Sequence, residues 1–195
     1  IQFEFENADW KDVIPWYATQ AGFSLQPIND WPGDTFTLKG DSDHTVMSAL
    51  DQLNHSLRMR NPPFTLIRNR KMLILARLED ANFPEKLIET VDVSDLNNRG
   101  KYETIICDFD MGELDAAEMY DEIKPMVVDA TDRISVFPKA NQIRVRASGA
   151  QLRDIRDLIN IAEKRMINEN LKMKTYRLRH IDSETFMIIA RGLLD

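Results

Sequence analysis

The chain has 195 residues, 43% hydrophobic and 29% charged, with a net charge of −7. That length supports one or two small domains, and the acidic balance opposes non-specific attraction to phosphate backbones or anionic lipid, which disfavours a nucleic-acid binder. No run of 18 apolar residues is present to cross a bilayer, no signal-peptide pattern opens a chain that begins at Ile1 and reads as a fragment, and the single Cys107 excludes an internal disulfide.

Ile1, Phe3 and Phe5 alternate with Gln2, Glu4 and Glu6, the period of a half-buried strand. A helix follows, with Asp9 as its cap, Trp10, Val13, Ile14, Tyr17 and Ala21 on one stripe, and Gly22 as its stop. Pro15 removes a backbone bond and predicts a kink or a late start. Short strands are expected at Ser24 to Gln26 and around Phe36 and Leu38. Asp41 to Asp43 offer caps for a second helix that turns Val46, Leu50, Leu53 and Leu57 inward, and Pro62 and Pro63 end it. Phe64 to Arg68 and Met72 to Leu78 then read as a hairpin about the tight Asn69, Arg70, Lys71 turn, with a second strand apolar on both faces.

This closes a first unit over residues 1–80, of order β-α-β-β-α-β-β. Residues 81–99, with Pro84 and the Asn97, Asn98, Arg99, Gly100 cluster at the end, predict a linker with few long-range contacts and one short strand at Thr90 to Val93. A second unit spans residues 100–168. Ile105, Cys107 and Phe109 alternate on a strand, and the segment from Gly112 to Lys124 is helical, with Leu114, Ala117, Tyr120 and Ile123 inward. Ile134 and Val136 mark a strand, Pro138 to Asn141 turn it, and Ile143, Val145 and Ala147 return with Gln142, Arg144 and Arg146 outward. Ser148 and Gln151 form the capping box of a helix whose stripe is Leu152, Ile155, Leu158, Ile159 and Ala162. The order is β-α-β-β-α, a KH-like arrangement. After Asn168 to Asn170, residues 172–195 restart with a strand at Met173 to Arg179, an Asp182 cap and a helical stripe of Phe186, Ile189, Ala190 and Leu193. The fold class is therefore α+β: two small modules plus the β-α start of a third.

No chemistry-bearing constellation emerges. His44, His55 and His180 lie in separate elements with no partner at metal-ligand spacing, so no metal is expected. Cys107, mid-strand between Ile105 and Phe109, reads as a small buried hydrophobe. The seven glycines form no phosphate loop, and no serine sits in a nucleophile elbow, so neither a cofactor nor an enzyme activity is expected. KH modules bind single-stranded nucleic acid through a basic G-x-x-G loop, which is missing here.

Phe3-Glu-Phe5, Asn7-Ala-Asp9-Trp10, Asp12-Val13-Ile14, Ala21-Gly22, Thr35-Phe-Thr-Leu38 and Ala49-Leu50 with Leu53 resemble the short N-terminal domain shared by bacterial secretins and TonB-dependent transducers. Phe137-Pro138 through Asn141-Gln-Ile-Arg-Val145, and Leu152 through Ile159, are similar to the ring-building modules that follow it in secretins. Tyr176-Arg-Leu-Arg-His180-Ile-Asp182 resembles the start of the next one. The resemblance implies a non-enzymatic periplasmic region of an outer-membrane protein-export channel. Its partners would be copies of itself in a homo-oligomeric ring, together with inner-membrane secretion-system components or exported cargo. The fragment itself would neither bind nucleic acid nor insert in a membrane. A signalling or docking domain of an outer-membrane TonB-dependent receptor is the alternative.

Charge is unevenly placed. From Gln52 to Leu78 there are Arg58, Arg60, Arg68, Arg70, Lys71 and Arg77 and no acid, whereas Asp108 to Glu122 carries seven acids and no base. Opposite blocks on different modules would steer the head-to-tail contacts of a ring. The expected subunit interface sets Arg68, Arg70 and Lys71 against Glu118 and Glu122 of an adjacent module or subunit.

Overall fold

The computed structural model describes residues 3–39, 44–80, 83–127 and 132–170. The first unit comprises β1 (Phe5–Asp9), α1 (Trp10–Ala21), β2 (Ser24–Pro27), β3 (Thr35–Leu38), α2 (Val46–Arg58), β4 (Phe64–Asn69) and β5 (Met72–Arg77). β1 and β3 form an antiparallel pair, and a three-stranded sheet of order β2-β5-β4 joins β2 in parallel to β5. Trp10, Val13, Ile14 and Tyr17 of α1 and Leu50, Leu53 and Leu57 of α2 meet Leu66, Leu73 and Leu75 of the sheet in one fully enclosed core. Each such side chain contributes roughly 1.5–3 kcal/mol by leaving water.

Local expectations fail here for identifiable reasons. The first strand begins at Phe5, and its register shifts between Phe5 and Ala8, where Asn7 adopts φ 48°; Ile1 and Gln2 lie outside the described residues. Phe3 precedes the strand yet is buried among Phe5, Trp16, Tyr17 and Phe36. Asp9 stands at the N-cap of α1 but makes no capping bond; its carboxylate instead pairs with Lys11 at 3.0 Å. The helix runs through Pro15 with no late start. Thr45, whose Oγ1 accepts from Ser48 N at 3.0 Å, is the cap of α2, while Asp41 to Asp43 lie outside the described residues. The helix therefore starts at Val46, which stays 38% exposed, and Ala49 takes the inward position.

The second unit contains β6 (Thr90–Val91), β7 (Thr104–Asp110), α3 (Ala116–Ile123), β8 (Arg133–Phe137), β9 (Gln142–Ser148) and α4 (Gly149–Asn170). Its sheet has the order β6-β7-β9-β8, with β6 parallel to β7 and the other pairs antiparallel. α3 and α4 cover one face, placing Met119, Ile123, Leu152 and Ile155 on Ile105, Cys107, Ile143 and Val145. Asp115 accepts from Ala117 N at 2.7 Å and Glu118 N at 3.1 Å, so α3 begins at Ala116. Its buried stripe is then Ala116, Met119 and Ile123, and Ala117 points to solvent. The capping box forms: Gln151 Oε1 accepts from Ser148 N at 3.1 Å, and Ser148 Oγ from Gln151 N at 3.4 Å. The backbone of α4 continues through Asn168 to Asn170, while the tail of residues 172–195 lies outside the described residues.

The sparse linker is corrected by the packing of residues 83–99. Ile88 is buried against Ile67, Ile74 and Ala76 of the first unit, with Phe83, Leu87 and Ile106 around it. Val91 and Leu96 belong to the second core. β5 is apolar on both faces because Leu73 and Leu75 face one core and Ile74 and Ala76 face this cover. Arg146, expected outward, is only 5% exposed, since Glu85 pairs with it at 2.6 Å and its guanidinium carbon lies 5.5 Å from the Phe83 ring centroid.

Candidate docking and assembly surfaces

The densest polar chemistry lies where the two units meet. Glu103, just ahead of β7, has no solvent exposure. Its Oε1 accepts from Arg68 Nε at 2.9 Å and Arg99 Nη1 at 3.2 Å, and its Oε2 from Arg68 Nη2 at 3.2 Å and Gly100 N at 3.1 Å. Arg99 is steadied in turn by Glu89 at 2.9 Å. Both carboxylate oxygens are thereby satisfied, the condition under which a buried charge is tolerated.

Asp51 on α2 accepts from Lys101 N at 2.9 Å and Tyr102 N at 3.2 Å, and Arg58 Nη2 donates to Thr104 Oγ1 at 2.8 Å. The fit is close: a Cβ on Gly100 would collide with the Asp51 carboxylate, and one on Gly149 with the Gly100 carbonyl oxygen. An apolar cover on one side and this polar network on the other hold the units as a single block.

The expected interface residues are therefore unequal. Arg68 is committed to Glu103 inside its own chain and is only 20% exposed. Arg70 and Lys71 form the exposed two-residue turn of the β4–β5 hairpin, with Asn69 opposite Met72 and Arg70 at φ 52°. Arg70 lines an inter-unit groove with Arg68, Glu89, Asp95, Asn98 and Arg99. Glu118 and Glu122 are exposed on α3, away from the core stripe of that helix. These four exposed residues occupy different units and surfaces.

Two side chains that sequence reasoning passed over or read only as pattern prove to be organisers. Asn54, fully buried on α2, accepts from Leu66 N at 2.7 Å and Thr65 Oγ1 at 3.2 Å and donates to Leu66 O at 3.3 Å, which pins the helix to β4. Asn141, at φ 52° in the β8–β9 turn, donates to Gly112 O at 3.0 Å and Leu114 O at 2.9 Å and accepts from Ala116 N at 3.0 Å. It fixes the loop that starts α3. An asparagine in a polar turn was the available signal for Asn141; a lone polar residue within the apolar heptad of α2 was the signal for Asn54.

Reactive chemistry has little support in this geometry. Burial pushes the Cys107 thiol up to about 12, with Asp108 and Asp92 adding to the effect. Burial likewise raises the Tyr17 hydroxyl, which donates to Val46 O at 2.9 Å. The Arg144 guanidinium, bonded at 2.6 and 2.8 Å across the β7–β9 pair, holds the Asp108 carboxyl below the usual carboxylate range. Among the described residues, no group of three or more His, Cys, Asp or Glu is placed to hold a metal ion, and no helix is long and apolar enough to cross a membrane.

No family model matches the sequence, and no curated protein matches it. Solved structures do. A chain of the Klebsiella pneumoniae type II secretion system outer membrane complex of PulD, PulS and the PulC HR domain superposes with a TM-score of 0.56 at 14% identity, over 83% of this chain and 26% of that one. The Vibrio cholerae type IV competence pilus secretin PilQ matches over 80% of this chain and 37% of its own, at 16% identity and a TM-score of 0.31. The N-terminal domain of the Pseudomonas aeruginosa secretin XcpQ matches at 14% identity and a TM-score of 0.31, over 83% of this chain and 63% of that one. The chain thus spans about a quarter of the Klebsiella chain, and it has the mixed α+β fold of a secretin N-terminal region.

Proposed function

We propose that this chain is the periplasmic ring-building and docking region of an outer-membrane secretin-like channel for protein export, with a structural and not a catalytic role. The observation that carries the reading is the fold likeness to the Klebsiella outer membrane complex over 83% of the chain. The Klebsiella assembly holds PulS and the PulC HR domain beside PulD, and another solved complex pairs GspC with GspD from enterotoxigenic Escherichia coli. On this reading the chain's partners are copies of itself and other secretion-system components. The reading divides the chain into a docking unit (residues 1–80), a connection (81–99), a ring-building unit (100–168) and the opening of a further module (172–195).

A ring needs a heterologous contact in which two different patches meet. The Arg70 and Lys71 turn and the acidic face of α3 at Glu118 and Glu122 are such patches, on different units of one block. Arg68 supports the hairpin from beneath through Glu103. Exposed ion pairs are individually worth about 0–1 kcal/mol and are screened by salt, so they act on orientation and association more than on folding. The test fuses the chain to a ring-forming scaffold, which raises local concentration as a membrane barrel would. Electron microscopy at low salt is expected to show a second closed layer of density. Reversing Arg70 and Lys71 to glutamate should abolish that layer, and adding Glu118→Lys and Glu122→Lys should restore it. Particles whose appended domains stay unconnected at low salt would overturn the ring-building role, and a layer indifferent to both reversals would overturn the charge pairing.

A further inference from the structure

A pocket of about 350 Å³ opens in the first unit between the β2–β3 connection and the segment joining α2 to β4. Trp31, Pro32, Pro62 and Phe64 give it apolar walls, and Arg60, Arg77 and Asp34 supply its charge. Arg60 is engaged: it pairs with Asp34, donates to Thr35 O at 3.4 Å, and sets its guanidinium carbon 5.4 Å from the Trp10 ring centroid. Arg77 differs. Its guanidinium carbon stands 5.5 Å from the Phe64 ring centroid, yet among the described residues no carboxylate or carbonyl accepts from its side chain. The Nε atoms of both arginines are buried with no acceptor.

A buried guanidinium N–H without an acceptor is costly, and in a native fold it calls for an explanation. A guanidinium held over an aromatic face, with its fork unpaired, is pre-organised to take a carboxylate through two parallel hydrogen bonds. Arg60, Arg77 and Asp34 sum to one positive charge, which matches a monoanion better than a phosphate dianion. The apolar walls suit the methylene stem of an acidic side chain.

We propose that this pocket receives a glutamate or aspartate side chain of a protein partner, with Arg77 as the bidentate donor and Trp31 and Phe64 as the walls. The site stands apart from the ring contact and does not depend on it. It also accounts for two members of the basic block that neither the inter-unit junction nor the hairpin turn uses.

The test titrates the isotope-labelled 195-residue chain with acetyl-Ala-Glu-Ala-amide, its Gln counterpart and inorganic phosphate, while the side-chain Nε–H signals of Arg60 and Arg77 and the Trp31 indole are followed by NMR. The Glu peptide should move these signals saturably and the Gln peptide should not. Arg77→Gln should weaken binding at least tenfold and Arg77→Lys several-fold, because lysine keeps the charge but loses the fork. Asp34→Asn, which keeps an oxygen for Trp10 Nε1, should tighten binding about threefold, and this gain of function guards against loss through misfolding. Equal response to the Glu and Gln peptides, tighter binding of phosphate than of the Glu peptide, or no saturable response would each overturn the assignment.

Discussion

Glu103→Gln strikes the bond between the two units and leaves both apolar cores intact. Glutamine has one acceptor oxygen where the carboxylate has two, so two of the four donors now aimed at Glu103 lose their acceptor. At roughly 1–3 kcal/mol for each orphaned donor the cost is about 2–6 kcal/mol, in line with the roughly 3–5 kcal/mol for removing one partner of a buried ion pair. Arg68 is 20% exposed and can turn partly to water, which places the expectation near 3 kcal/mol, about the lower bound for a buried pair. With a urea m-value of about 2 kcal/mol/M, the midpoint falls by about 1.5 M. Because the lost bonds couple the units, the transitions should also separate. Trp10, Trp16 and Trp31 all lie in the first unit, so indole fluorescence reports that unit alone while far-UV circular dichroism reports both. The parent should unfold with coincident curves and Glu103→Gln with displaced ones. A midpoint within about 0.3 M of the parent, with curves still coincident, would refute the claim that this network joins the units.

Other perturbations follow from single side chains. Asn141→Gly keeps the φ of 52° but loses three side-chain hydrogen bonds, which should cost about 2–3 kcal/mol in thermal unfolding; Asn141→Ala should cost about 1 kcal/mol more, and equal losses would exclude a backbone contribution. The hydrogen bonds from Arg144 hold the pKa of Asp108 below the ordinary carboxylate value near 3.9, so their pairing stabilises the fold above about pH 4 and fades as pH falls through the lowered value. Arg144→Gln should therefore cost under about 1 kcal/mol at pH 7 and progressively less as pH falls below about 4, and a penalty that does not shrink on acidification would contradict the pairing. Cys107, fully buried with its thiol raised to about 12, should react with an aromatic disulfide reagent only at the rate of unfolding; stoichiometric labelling on mixing native protein at pH 8 would disprove its enclosure.

Local grammar and the separation into two cores were already legible in the order of the residues. Apolar residues at three- and four-residue spacing placed Trp10, Val13, Ile14 and Tyr17, and later Leu152, Ile155 and Ile159, on buried helical faces. Ser148 and Gln151 are three residues apart and need no distant partner to cap a helix, so that contact was legible as well. Tertiary structure decided whatever depends on which surface arrives from elsewhere. The caps formed at Thr45 and Asp115 set the starts of α2 and α3 at Val46 and Ala116, and the inward position on α3 falls on Ala116 and not on Ala117. The segment from Phe83 to Arg99 has the turn-rich composition of a linker, yet it covers both sheets because each leaves apolar groups on its outer face, Ile67, Ile74 and Ala76 on one and Ile106 on the other. The double-faced apolar pattern of β5 carried that information without naming its cover. Likewise the six bases between Gln52 and Leu78 form one block in sequence. A strand alternates its faces and a helix rotates its own, so folding sends Arg68 to a buried carboxylate, Arg70 to an exposed turn and Arg77 to an aromatic pocket.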